Sequence, residues 1–240
     1  MSQIVLIYDV ETTGLLNCKH LPNLDIYGTD AYPYITQLSW VKYDVLANRV
    51  IDAFDSYVKL PDHVVVPEKV SEITGITAEF CQKHGRDIVP VLFHFYQAVI
   101  SSNLLVGHNT EFDKNMVQIE VHRNLTKLRV YDPAIANMFR IDWLIGRGIR
   151  HHCTMLTNIE RCNIRPPGWN RKDAKWPSLS ELHNHLFQNV PENMHNSLFD
   201  VMACMRCFLA TSSNYQISDI KMTTMLRSTT KLAAEHALMT

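Results

Sequence analysis

Asp9 and Glu11 stand one residue apart at the end of an apolar run, and on a strand residues two apart point to the same side. They therefore present two carboxylates to one small volume. Carboxylates held that close repel, which raises a pKa or calls for a cation between them; two solvated acids at the mouth of a loop read equally well. A third acid, Asp113, closes the stretch GHNTEFD (107–113), where an apolar segment gives way to a helical pattern. An acid there also simply favours the positive end of a helix. A fourth, Asp200, closes HNSLFD (195–200), in which Asn196 or Ser197 can cap the next helix and His195 is left in the preceding loop. An exposed acid on a capped helix is the plainer alternative. The order is what sets the four apart: strand end, helix start, helix start, with a histidine five residues before the last acid.

These residues need a scaffold, and the chain of 240 residues, 46% of them hydrophobic, suits one sizeable domain with a small appendage. The formal net charge of −1 commits the surface to neither nucleic acid nor membrane, while leaving a cleft free to carry charge. Asp9 and Glu11 interrupt the N-terminal apolar run too early for a signal peptide or a membrane span, so a soluble, intracellular protein with no membrane association is expected. Cysteines at 18, 81, 153, 162, 204 and 207 follow no disulfide spacing and read as reduced, mostly buried thiols. A zinc knuckle using His151, His152, Cys153 or Cys162 competes with packing cysteines and loop histidines.

Residues 4–10 lack alternation, as in a strand covered on both faces. Residues 16–34 carry Asn, Pro, Gly and Asp and form a long loop. The β-branched and aromatic stretches 34–43 and 50–59, joined by a short polar link, predict an antiparallel hairpin. Helices are predicted over 88–101, 112–121, 179–187 and 197–209, with a short buried strand at 104–106. Residues 136–176 hold eight Lys or Arg against three acids, interleaved with Trp143, Trp169 and Trp176. Such a segment suits phosphate contacts and base stacking, or a solvated basic loop. A polar link after Thr211 leads to a tail with helical character near 231–238.

DVETTGL (9–15), GHNTEFD (107–113) and HNSLFDV (195–201) together resemble the three motifs of the DEDDh 3′–5′ exonuclease superfamily, and SEITGIT (71–77) and WPSLSELHNHLF (176–187) resemble its supporting segments. The resemblance runs from about residue 4 to 209. It implies an α/β, ribonuclease H-like fold: a mixed five-stranded sheet flanked by helices. It implies that Asp9, Glu11, Asp113 and Asp200 hold two divalent cations, Mg²⁺ or Mn²⁺, about 4 Å apart, with hard oxygen ligands suited to both. His195, with an ordinary histidine pKa of about 6.5, is implied as the general base. Thr12, Thr13, Gly14 and Leu15 would meet the terminal nucleotide, Gly14 through a tight turn and Leu15 against the last base. His108 and Asn109 would contact its sugar or phosphate. Each of these has a structural alternative, core packing for Leu15 and backbone hydrogen bonding for His108 and Asn109.

The resemblance thus points to an enzyme acting on nucleic acid with a free 3′ end, single-stranded DNA favoured over RNA, releasing nucleoside 5′-monophosphates in proofreading or repair. An RNA-trimming exonuclease uses the same five residues, and a non-catalytic nucleic-acid-binding scaffold is the third reading. Residues 1–211 form the expected exonuclease domain and 212–240 a C-terminal extension, which either docks a polymerase or other protein or covers the core.

Overall fold

A computed structural model describes residues 3–16, 28–191, 193–212 and 215–239. Most of the 16–34 loop, and Cys18, lie outside the described residues. The sheet has five strands in the order β3-β2-β1-β4-β5. β1 (Ile4–Thr12) lies at its centre, antiparallel to β2 (Ile35–Asp44) and parallel to β4 (Leu104–Gly107). β2 pairs antiparallel with β3 (Arg49–Tyr57), and β4 pairs parallel with β5 (Arg150–Cys153). The expected mixed sheet and the β2–β3 hairpin are present. The fifth strand, RHHC, has no apolar pattern because it is a sheet edge whose side chains are exposed or half-buried.

The ten described α-helices are α1 (Glu68–Thr74), α2 (Ala78–His84), α3 (Ile88–Ile100), α4 (Thr110–Arg123), α5 (Leu125–Tyr131), α6 (Ile141–Gly146), α7 (Ile159–Cys162), α8 (Leu179–Phe187), α9 (Ser197–Ser212) and α10 (Asp219–Met239). Alternating residues of β1 feed two cores. Leu6, Tyr8 and Val10 join Phe95, Met116 and Val117 from α3 and α4, while Val5 and Ile7 join Val201, Met205 and other residues of α9. This two-sided burial is why β1 lacks alternation. Within SEITGIT the chain ends α1 and starts α2. Gly75 takes the left-handed conformation (φ 72°) that closes a helix, and the Thr77 hydroxyl accepts the Phe80 N–H to cap the next.

α10 is longer than the helical tail read from the sequence. Its Ala233 enters the α9-side core, and the His236 ring meets Trp40 and Phe54 edge-on. It thereby covers β3, an edge strand that would otherwise expose unpaired backbone groups. Among the described residues no helix is long and apolar enough to cross a membrane.

Candidate active site

The acids gather where β1 leaves the sheet. Because Asp9 and Glu11 alternate in step with Val5 and Ile7, they face α9, whose first turns carry Asp200. Ligand oxygens of Asp9, Glu11 and Asp200 all lie within 4.8 Å of one another, and this is the one such metal-sized group of His, Cys, Asp and Glu among the described residues. The pairing of β1 with β2 shifts between Glu11 and Thr12. The irregularity ends the regular ladder directly after the second acid, as bulges beside active sites commonly do.

Asp113 arrives from the opposite face of the sheet. β4 pairs with β1 only as far as Ile7↔Val106, so the Val10 amide has no β4 partner. The Asp113 Oδ1 accepts that N–H at 3.2 Å, fixing the buried carboxylate behind the strand end. The route there is tight: a Cβ on Gly107 would lie 2.9 Å from Thr110 Cγ2 and 3.3 Å from the Tyr8 carbonyl oxygen. Glycine at 107 lets α4 begin this close to β1. Asp113 is not among the three acids within 4.8 Å, yet it feels their charge.

Burial lifts the Asp9 carboxyl from 3.8 to about 7, with the neighbouring Ser197 hydroxyl opposing the rise. Burial and then the charge of Asp9 raise Glu11 to about 8. Burial, followed by Asp9 and Glu11, raises Asp200 to about 9, opposed by the His195 N–H. Asp113 is likewise pushed well above the carboxylate range, by burial and then by Asp9. Four acids held this way disfavour their own ionised forms. The Oδ1 of Asp200 is buried without a hydrogen-bond partner, an acceptor that normally costs stability unless something meets it. An all-carboxylate oxygen set with an orphaned acceptor fits a hard divalent cation.

His195 lies in the turn before α9, exposed, with φ at 68°, a conformation uncommon for a residue with a side chain. Its backbone N–H donates to Asp200 Oδ2 at 2.9 Å, so the histidine and the acid are tied through the main chain and the ring stays at the surface. The Asn196 carbonyl oxygen accepts the Asp200 N–H at 3.0 Å, opening the helix, and the side chains of Asn196 and Ser197 make tertiary bonds. The Ser197 hydroxyl donates to the Asp9 carbonyl oxygen at 2.7 Å, and the Asn196 side chain donates to the Tyr57 hydroxyl.

That clamp extends to residues the sequence reading did not single out. The Ser197 N–H donates to Gln37 Oε1 at 3.2 Å, while Gln37 Nε2 and the Ser39 hydroxyl both donate to Asp55 Oδ1, at 2.8 and 2.6 Å. Asp55 fixes which end of the Gln37 amide faces α9, so β3 and β2 set the height of the Asp200 helix over β1. Polar residues inward on an otherwise apolar hairpin were the available signal.

Among the remaining expected contacts, the Thr12 hydroxyl donates to the Gly14 carbonyl oxygen at 2.7 Å, and Thr13 pairs with Tyr34 through its N–H and its hydroxyl oxygen. Gly14 keeps an ordinary φ, and only Pro33 Cγ, at 4.0 Å, would meet a Cβ there; no glycine-only turn is needed. Leu15 is 79% exposed, which excludes the core-packing alternative. Both His108 ring nitrogens have protein partners, Nδ1 with the Thr154 hydroxyl at 3.0 Å and Nε2 with the Pro177 carbonyl oxygen at 2.9 Å. Asn109, left-handed and exposed, makes no side-chain cap to α4. The zinc-knuckle alternative fails among the described residues: His151, His152, Cys153 and Cys162 form no metal-sized group, and Cys204 and Cys207 are buried in α9.

The profile of the RNase_T exonuclease family matches residues 6–208. The chain belongs to that family. The resemblance read from the three motifs therefore holds, and the match spans Asp9, Glu11, Asp113, His195 and Asp200. A 129-residue stretch is 29% identical to the PolC-type DNA polymerase III of Bacillus subtilis strain 168, covering 54% of this chain and 8% of that protein. The zinc-bound Escherichia coli exonuclease I–single-stranded DNA complex shares the fold with TM-score 0.61 and 18% identity, over 95% of this chain and 43% of that one. Exonuclease I of Methylocaldum szegediense matches with TM-score 0.60 and 19% identity, over 88% and 41% of the two chains. The chain thus spans less than half the length of these relatives, and at such identities the solved structures speak for the fold alone.

Proposed function

We propose that this chain is a metal-dependent 3′–5′ exonuclease that hydrolyses single-stranded DNA from its 3′ end and releases nucleoside 5′-monophosphates. The observation that carries the reading is the trio Asp9, Glu11 and Asp200 with oxygens within 4.8 Å and one acceptor unpaired. Membership of an exonuclease family supports the reaction class. For the substrate, support comes from solved neighbours whose oligonucleotides are DNA, dT13 and dA16 on Escherichia coli exonuclease I.

Asp9, Glu11, Asp200 and Asp113 would hold two Mg²⁺ or Mn²⁺ ions. Bound there, such ions would supply charge stabilisation on both sides of the scissile phosphate and ready a water for attack. Asp9, Glu11 and Asp200, whose oxygens gather together, would hold one ion, and Asp113, standing back behind the strand end, would serve the other with Asp9. His195, exposed at the mouth, takes the proton from the attacking water as its ring swings over the acids. Its backbone bond to Asp200 keeps that swing anchored. Leu15, exposed beside the strand end, packs on the terminal base, and Thr12, Thr13 and Gly14 shape the turn that receives the 3′-hydroxyl. Asn109 faces the sugar or phosphate, whereas His108, with both nitrogens engaged, positions the loop beyond it. Residues 1–211 carry this chemistry, and 212–240 add the helix that shields β3.

The test uses 5′-labelled single-stranded DNA, duplex DNA and RNA with Mg²⁺, Mn²⁺ or EDTA, beside Asp9→Ala. A ladder of 3′-shortened DNA that requires both metal and Asp9 is expected. A faster ladder on RNA would move the substrate to RNA, and no shortening of any strand would refute the enzyme.

A further inference from the structure

The sequence places three tryptophans in the basic segment 136–176, and the structure separates them. Trp143 packs on the α3-side core against Tyr96, with the Arg147 guanidinium over its ring, 4.1 Å from the centroid. Trp169 holds its own loop together, donating from Nε1 to the Asp173 carbonyl oxygen at 2.8 Å with Arg171 near its ring. Trp176 alone of the three is open, 59% exposed.

Its place is not arbitrary. β4 ends at Gly107, where a Cβ would lie 3.3 Å from the Tyr8 carbonyl oxygen, so His108 leaves the sheet next to the strand end that carries Asp9. The His108 ring then reaches out and holds the Pro177 carbonyl oxygen at 2.9 Å, while the Thr154 hydroxyl, bonded to its other nitrogen, donates to the Gly107 carbonyl oxygen. The residue next to Trp176 is therefore pinned to the strand end that flanks the acids. On the other side, Lys175 N–H donates to the Ile164 carbonyl oxygen and closes the loop 164–175. The loop carries Arg165, Arg171 and Lys172 against the single acid Asp173, while the Lys175 ammonium is paired with the Glu181 carboxylate at 2.6 Å. A large, exposed aromatic ring at the foot of a closed, basic loop beside the acid cluster has the makings of a base-stacking surface.

We infer that Trp176 is a stacking platform for a base upstream of the 3′-terminal nucleotide, with the cations of loop 164–175 guiding the phosphates that lead to it. This deepens the exonuclease reading and rests on it for the direction of the strand. The platform accepts any base, since every base has a π-face, and it acts on strand binding rather than on bond cleavage.

The experiment is equilibrium binding of a 5′-fluorescein-labelled dT oligonucleotide in EDTA, read by fluorescence anisotropy, for the full chain and for Trp176→Ala and Trp176→Phe. A second strand of equal length carries abasic residues upstream of its 3′ nucleotide. Trp176→Ala is expected to weaken binding of the dT strand about 5- to 100-fold, and Trp176→Phe to keep most of the affinity. On the abasic strand the three proteins should bind alike, with unchanged unfolding midpoints. Equal affinity of Trp176→Ala and the parent for the dT strand would overturn the platform, as would an equal loss on both strands. A protein that shows the expected binding pattern yet never shortens the strand would refute the exonuclease reading and leave the platform standing.

Discussion

Asp9→Asn should remove activity and, without metal, make the protein more stable. The substitution keeps the shape of the side chain and deletes its charge. Burial raises the Asp9 carboxyl from 3.8 to about 7, so above pH 7 the folded protein carries an ion that folding disfavours. At about 1.4 kcal/mol for each tenfold change, ionising it there costs about 4 kcal/mol as a ceiling, less where water enters the site. The sign follows from proton uptake: between pH 4 and 7 the folded state holds the proton more tightly than the unfolded chain. Stability from this group is therefore full below about pH 4 and declines as pH rises through 7. In EDTA at pH 8, Asp9→Asn should raise the melting temperature, by about 2–4 °C for each kcal/mol recovered in a chain of this size. Near pH 4, where both side chains are neutral, the two proteins should melt together. Hydrolysis should fall by about a thousandfold, the worth of roughly 4 kcal/mol of lost transition-state stabilisation. Calorimetry across pH paired with the labelled-strand assay checks both halves. A variant less stable than the parent at pH 8 in EDTA would show that Asp9 is a structural acid, and the reasoning from crowded carboxylates would fail.

The same crowding predicts that Mg²⁺ or Mn²⁺ raises the melting temperature of the parent at pH 8, by about 2.7 kcal/mol of stability at one hundred times the dissociation constant; a scan showing no shift refutes cation binding at the acids. Asp200→Asn should abolish most of that shift, because the unpaired Oδ1 is lost as an anionic ligand. His195→Ala should slow hydrolysis about 10²- to 10⁴-fold while preserving the metal-induced shift, since its ring is not among the clustered ligands; a variant of normal rate removes it as the base. Gln37→Leu strips the acceptor from the buried Ser197 N–H and leaves Asp55 short of a donor, so it should cost about 1–3 kcal/mol in denaturant melts and raise the metal concentration for half-activation. Destabilisation with an unchanged metal midpoint would limit Gln37 to packing.

Why the acids were legible and their supports were not comes down to range. Ile4 to Ile7 announce a central strand by unbroken apolarity, and the D-x-E that follows is local geometry, settled by the two-residue period of β structure alone. The helices at 88, 110, 179 and 197 likewise follow from spacing within a few turns. β5 escaped notice because an edge strand needs no apolar face, and α1 and α2 because each is only seven residues long, stabilised by Gly75 and Thr77 more than by periodicity. The supports at the site that the sequence hid have one cause. Nothing local shows that Ser197 bonds a carbonyl 188 residues away or that His108 bonds one 69 residues away. Asp113 shows the same principle from the other side. Its local reading as a helix-start acid is satisfied, yet the bond that positions it is to Val10, across 103 residues, and exists because β4 stops short of β1. A motif can tell which groups carry the chemistry, whereas their placement depends on where each strand ends, and a strand end is a property of the whole sheet.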